Sequence, residues 1–152
     1  MISLIKKISL FENLTDGELE KISAICLRER YPTGTVVCKE GDAGDKCYMI
    51  SNGEVRISKF IRNIGEEALA VLKAGDYFGE MALIDSFPRS AHATANSDVE
   101  LLTVRKADLD EIMNKDREMG YKLLWVFTRT LSLRLRETNE KMAGFLAMSG
   151  GF

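Results

Sequence analysis

The apolar positions of the first 29 or so residues recur at helical spacing. Leu19, Ile22, Ile25 and Cys26 share one helical face. Ahead of them, Thr15-Asp-Gly-Glu18 has the spacing of a capping box, with Phe11 and Leu14 placed as a staple. From about 30 to 105 the pattern changes to short strand-like runs: Thr35–Cys38, Cys47–Ile50, Glu54–Ile57, Ala68–Leu72, Ala91–Ala95 and Val99–Val104. Turn signals separate them at Pro32–Gly34, Gly41–Asp45, Asn52-Gly53, Asn63–Gly65, Gly75-Asp76 and Asn96–Asp98. Asn52-Gly53 is the sharpest and predicts a hairpin between Cys47–Ile50 and Glu54–Ile57. Such regular short spacing predicts a β-roll, a jelly roll or a barrel.

The pattern turns helical again over about 106–147. Lys106–Met113 reads as a short amphipathic helix, and a long helix follows from about Glu118 to Ala147. Along it, Tyr121, Leu124, Thr128, Leu131, Leu135, Thr138, Met142 and Phe145 alternate in steps of three and four residues, a heptad seam. Trp125, Phe127 and Leu133 lie on its other sides. Two faces of one helix want cover, so one is expected to pack on the roll and the other on a second copy of the chain.

Composition narrows the class. The chain has 152 residues, 45% hydrophobic and 29% charged, which suits a single domain over 1–152. The formal net charge of -2 argues against a general grip on nucleic acid. No segment is apolar enough for a membrane span, and the start lacks the apolar run of a signal peptide, so a cytoplasmic protein is expected. Cys26, Cys38 and Cys47 have no metal or redox spacing, and His92 is the single histidine. A metal cupin site and a nucleophile–base pair are both missing, so no enzyme is expected.

The candidate chemistry lies in one stretch, Ala74 to Ala95. Gly79 permits a close approach of backbone to a ligand. Glu80–Ile84 can form one helical turn whose free N–H groups suit an anion. Arg89, after Phe87-Pro88, can clamp a phosphate through paired N–H donors, and the Glu80 carboxylate can accept from a sugar hydroxyl. The plain alternative is that Glu80 and Arg89 form an ordinary ion pair. The small residues Ala91, Ala93 and Ala95 leave room for a guest, with His92 and Thr94 on the opposite side.

Phe78-Gly-Glu-Met-Ala-Leu83 followed by Pro88-Arg-Ser-Ala91 resembles the phosphate-binding cassette of cyclic nucleotide-binding domains. Leu10-Phe11, Gly34, Glu40-Gly-Asp42, Gly44-Asp45, Tyr48, Gly53 and Gly75-Asp76 extend the resemblance over almost the whole chain. It implies a mainly β fold: an eight-stranded, jelly-roll-like β-roll with an N-terminal helix and a long C-terminal dimerisation helix. It also implies site roles. Gly79 lets the backbone pass the ligand, and Glu80 takes the ribose 2′-hydroxyl. Backbone N–H groups at Met81, Ala82 and Ala91 face the cyclic phosphate. Arg89 neutralises that phosphate, and Ser90 offers a hydroxyl to phosphate or base. Leu69 and Leu72 form the apolar wall under ribose and base.

Arg136-Glu-Thr-Asn-Glu-Lys141 resembles the stretch where the family's bacterial cyclic-AMP receptors read the adenine edge. Thr138 matches the base-reading threonine, and Asn139 stands where those receptors carry serine. The implied ligand is cAMP, with cGMP an alternative because the cGMP-selective members carry threonine at the place of Ser90. No cofactor is required. The implied partners are a second copy through the C-terminal helix and an effector protein that the sequence does not identify. The family's DNA-reading members continue into a helix-turn-helix. This chain is read as carrying no DNA-binding domain and no nucleic-acid contact of its own, with the sensing half of a transcription regulator as the alternative.

Overall fold

The computed structural model describes residues 1–85 and 87–150; Ser86, Gly151 and Phe152 lie outside the described residues. The chain opens with α1 (Ile2–Ile5), a 3-10 turn at Ser9–Phe11 and α2 (Asp16–Ile25). Eight strands follow: β1 (Leu27–Tyr31), β2 (Val36–Cys38), β3 (Lys46–Asn52), β4 (Glu54–Ile61), β5 (Gly65–Lys73), β6 (Tyr77–Phe78), β7 (His92–Ala95) and β8 (Val99–Arg105). A 3-10 turn at Glu80–Leu83 separates β6 from β7, and α3 (Lys106–Lys115) and α4 (Arg117–Ser149) close the fold. The strands form two antiparallel four-stranded sheets, in the orders β1-β8-β3-β6 and β2-β7-β4-β5. This is the jelly-roll-like roll with flanking helices that the sequence implies.

The central strands of the first sheet, β3 and β8, are buried on both faces, because successive side chains of a strand point to opposite sides. In β3 and β8, Tyr48, Ile50, Val99 and Leu101 enter the core between the sheets. Their neighbours Cys47, Met49, Leu102 and Val104 enter a second core shared with the helices. That second core takes Ile5, Ile8, Leu10, Phe11, Leu19, Ile22, Leu109, Met119, Leu123, Val126 and Phe127. The capping box forms as read: Thr15 N–H donates to Glu18 Oε1 (2.9 Å) and Glu18 N–H to Thr15 Oγ1 (3.3 Å). Lys122 Nζ also donates to Glu18 Oε1 (2.7 Å), which ties the start of α2 to α4.

The structure corrects three local expectations. The first helical zone ends at Ile25, and Leu27–Tyr31 is a strand. β1 is an edge strand held by charge: Arg28 and Arg30 both reach Glu100, while Glu29 accepts from Lys46 Nζ (2.8 Å). Charged edge strands are a known defence against stray pairing, and they carry no apolar alternation to read. The two-residue β6 was also missing from the expected runs, being too short to show a period.

Asn52-Gly53 does not close a hairpin. β3 and β4 belong to different sheets, and the dipeptide is the corner between them. Gly53 has φ 88°, and a Cβ there would overlap the Asp98 carbonyl oxygen. The glycine answers a left-handed backbone and a close approach, which a crossing needs as much as a hairpin does. The hairpin that does form, β4–β5, turns through Asn63 at φ 68° and Gly65 at φ 104°.

The long helix is a little longer than expected at both ends. Its roll-facing side buries Met119, Gly120, Leu123, Val126 and Phe127. Every seam position except the half-buried Leu131 is exposed, Leu135 and Phe145 at 61% and 66%. The helix is therefore not wholly covered by its own domain.

Candidate functional site

The cassette starts where β6 ends. Tyr77 and Phe78 are buried, Gly79 turns the chain at φ 73°, and Glu80–Leu83 makes one 3-10 turn. Gly79 is needed twice over: the left-handed φ disfavours a side chain, and a Cβ would overlap Arg89 Nη1. On the other side of Arg89 stands Gly44, where an added Cβ would lie 2.6 Å from Arg89 Nε. Two glycines thus form the walls of a slot for one arginine.

The rest of the slot fixes the guanidinium. Arg89 Nη2 donates to Lys46 O (2.7 Å) and Nη1 to Gly79 O (3.3 Å). The group lies 5.4 Å from the centroid of the Tyr48 ring, and Tyr48 stacks on Phe78 at 4.9 Å. The backbone of Arg89 is strapped to the Gly41–Asp45 loop, its N–H donating to Asp42 O and its carbonyl accepting from Gly41 N–H, both at 2.8 Å. Among the described residues, no carboxylate pairs with Arg89. Burial pushes the Tyr48 phenol above its ordinary value, although the Lys46 and Arg89 cations pull the other way. Cys47, next to it in β3, is pushed up to about 12 by burial, which leaves it an inert thiol.

Glu80 points elsewhere. It is 2% exposed, and its Oε1 is paired with Arg134 of α4, 54 residues along the chain. Burying a carboxylate this deeply requires such a partner. Arg134 also lies over the Tyr77 ring at 5.8 Å, and the Tyr77 hydroxyl donates to Thr130 Oγ1 at 2.7 Å. Glu80 and Arg89 are thus not an ordinary ion pair: the carboxylate serves the helix and the guanidinium faces a cradle of carbonyls and an aromatic ring.

Gly79, Glu80, Met81, Ala82 and Arg89 meet in one place. Ala82 is buried and its N–H donates to Gly79 O (3.2 Å); the Met81 side chain is exposed. Ser90 is exposed and Ala91 half-buried at the entry to β7. Leu72 packs at the border of the core between the sheets, and Leu69 is exposed. In a regular strand, residues three apart face opposite ways. Here the register shifts between Ile57 and Ser58, so that β5 carries an extra residue at Leu69, and the bulge breaks that alternation. Thr138 and Asn139 are exposed, one turn and more beyond Arg134, and in the single chain they do not contribute to the cassette's hydrogen bonds.

The sequence reading gave no site role to Arg134, Tyr77, Thr130 or Tyr48, although Tyr48 was one of the residues that carried the resemblance. One signal was available for the helix residues. Leu123, Phe127, Thr130 and Arg134 follow one another at four, three and four residues, so Arg134 had to share the roll-facing side.

The comparisons with known proteins agree with this geometry. Residues 28–116 match the profile of the cyclic nucleotide-binding domain. The chain is 32% identical over 133 residues to the cyclic AMP receptor protein of Thermus thermophilus, an alignment that covers 88% of this chain and 60% of that protein. It is 35% identical over 125 residues to cGMP-dependent protein kinase, isozyme 1, of Drosophila melanogaster, covering 76% of this chain and 16% of the kinase. The chain therefore spans less than two thirds of these relatives. A crystal structure of a cyclic nucleotide-binding domain from Methylobacillus flagellatus superposes with a TM-score of 0.82 at 28% identity, covering 93% of this chain and 80% of that one. With the profile spanning more than half its length and the cassette in place, the chain belongs to the cyclic nucleotide-binding domain family.

Proposed function

We propose that this chain is a non-catalytic receptor for a cyclic mononucleotide, cAMP ahead of cGMP, acting as one unit over 1–152. The observation that carries the reading is Arg89: a guanidinium fixed in a glycine-walled slot, with N–H donors to spare and no carboxylate partner among the described residues. Such a group is a built receptor for a small anion. The backbone N–H groups of Met81 and Ala91 and the Ser90 hydroxyl supply the remaining polar contacts to the phosphate. Ala82, whose N–H is taken by Gly79 O, lines the turn beside them, and Leu69 and Leu72 form the apolar wall. Thr138 and Asn139 read the base from α4, and Thr138 inclines the choice to cAMP.

Coupling follows from the Glu80–Arg134 pair. A ribose hydroxyl arriving at Glu80 alters the bond that holds α4, so the ligand has different affinities for docked and undocked helix. The uncovered seam of α4 suits a second copy of the chain, which would carry the movement to an effector. The reading places the protein in the cytoplasm, where three unpaired thiols stay reduced.

Calorimetric titration with cAMP and with cGMP tests the proposal. Wild type should bind cAMP more tightly. Arg89→Ala should weaken that binding by about 3–5 kcal/mol, the scale of leaving a charge unpaired in a site built for it. Near-wild-type affinity in the variant would end the assignment, and a clear preference for cGMP would reverse the order of ligands.

The likeness to the Thermus receptor favours a second reading, the sensing half of a DNA-binding regulator. A gel shift with this chain alone is expected to show no binding, and a retarded band would promote that alternative.

A further inference from the structure

Two polar clips join the cassette to α4, one helical turn apart. Glu80–Arg134 is the one a ligand would reach. The other, from the Tyr77 hydroxyl to Thr130 Oγ1 at 2.7 Å, has a different character. Tyr77 lies on the strand that leads into the cassette, is 3% exposed, and packs edge-on against Phe127 of α4 at 6.4 Å between centroids. Its ring also carries the Arg134 guanidinium at 5.8 Å. One side chain thus touches the last buried apolar residue of α4, the hydroxyl one turn on, and the arginine a turn beyond that.

The contacts along this face change character in order. Leu123, Val126 and Phe127 are buried and apolar, Thr130 and Arg134 are half-buried and polar, and from Leu135 to Gly150 every residue is exposed. Fraying from the exposed end of α4 would therefore run back to Arg134, and the next contact it meets is Tyr77–Thr130.

We propose that Tyr77 is a positioning residue: its hydroxyl bond to Thr130, independent of ligand, stops α4 from peeling off the roll and keeps Arg134 in register with Glu80. The inference rests on the receptor reading for its consequence but not for its geometry. When the ligand's hydroxyl competes for Glu80, the Tyr77 clip decides whether Arg134 is released alone or α4 leaves with it. Tyr77→Phe retains the ring, its contact with Phe127 and its place under Arg134, and removes only the hydroxyl. Thr130→Val removes the acceptor, and Thr130→Ser keeps it.

The test is amide hydrogen exchange on the ligand-free full chain. In Tyr77→Phe and in Thr130→Val, amides of 128–136 should exchange about fivefold faster, the scale of one net hydrogen bond. Amides of 119–127 and of β8 should hold their wild-type rates, and the double variant should be no faster than either single one. Thr130→Ser should restore protection, which a purely space-filling role for the side chain would not require. Uniform acceleration across the chain, additive effects or no acceleration would each overturn the proposal. A second arm titrates the same variants with cAMP, where affinity should fall by a similar factor because the proposed base contacts, Thr138 and Asn139, sit on α4; unchanged or tighter binding would overturn the link between the clip and the ligand. If the wild type binds neither cAMP nor cGMP, the receptor reading fails, and the exchange arm still decides the role of Tyr77.

Discussion

The two halves of α4 are one unbroken helix in two different settings. From Arg117 to Arg134 it is held by a buried apolar face, two polar clips and the Lys122–Glu18 bridge. From Leu135 to Ser149 it has the same backbone, yet every side chain is exposed, including Leu135, Met142, Phe145 and Leu146. Isolated helices of this length are marginal in water. In this chain the second half is thus stabilised only by continuity with the first. The difference teaches which part of the helix its own domain holds and which part it leaves unheld. The boundary falls on Glu80 and Arg134, the residues that join the helix to the cassette.

The largest contrast should appear in stability. Leu123→Ala, at a fully buried position, should cost about 2–5 kcal/mol in urea unfolding. Leu135→Ala should stay within about 0.5 kcal/mol when the protein is dilute enough to be monomeric. Equal losses would erase the distinction between the halves. Next comes association. Wild type should sediment as a dimer at micromolar concentration, and the pair Leu124→Glu with Leu135→Glu should sediment as a monomer, since two like charges per chain would meet across the seam. A monomeric wild type removes the second copy from the picture.

A smaller effect concerns acid. Burial alone would raise the Glu18 carboxyl, but hydrogen bonds from Lys122, from the Thr15 backbone and from the Thr15 hydroxyl outweigh it and hold the group below its ordinary value. A depressed carboxyl contributes stability above its unfolded value and loses it as pH falls through the folded one. Glu18→Gln should therefore cost about 1 kcal/mol at neutral pH and flatten the acid limb of the stability curve. An unchanged acid limb would mean that the α2–α4 bridge contributes nothing. The smallest effect is chemical. Burial pushes Cys26 and Cys47 up to about 12, so a thiol reagent at pH 8 should find both silent until the protein unfolds. Rapid labelling of either would show that the core under the first half of α4 opens far more readily than its packing implies.

Much of the fold could be read from local pattern because local rules decide it. Thr15 and Glu18 are three residues apart and cap their own helix; Leu101 and Leu102 look opposite ways because a strand makes them do so. The seam of α4 could be read as a face that wants cover, and the chain leaves it uncovered. Position was readable in the cassette as well: a glycine, a carboxylate and an arginine at fixed spacing. What could not be read was who bonds to whom across distance. Glu80 meets Arg134, 54 residues away, and Arg30 meets Glu100 across two strands. Neither pairing has a period or a propensity to announce it. Asn52-Gly53 misled for a related reason, since a left-handed glycine reports the backbone angle and not which sheet the chain enters next.

If Arg89 is the anion receptor we propose, the slot around it sets how the protein is most cleanly silenced. Because its walls are two absences of a side chain, the vulnerable change is an addition. Gly44 has an ordinary backbone conformation that alanine tolerates, yet one methyl group there would press on the middle of the arginine side chain. Gly44→Ala should keep the charge, the strand pairings and both cores, and displace only the guanidinium that the proposed function assigns to the anion. On the receptor reading, it should make a better blank for cell experiments than a variant that deletes the arginine itself.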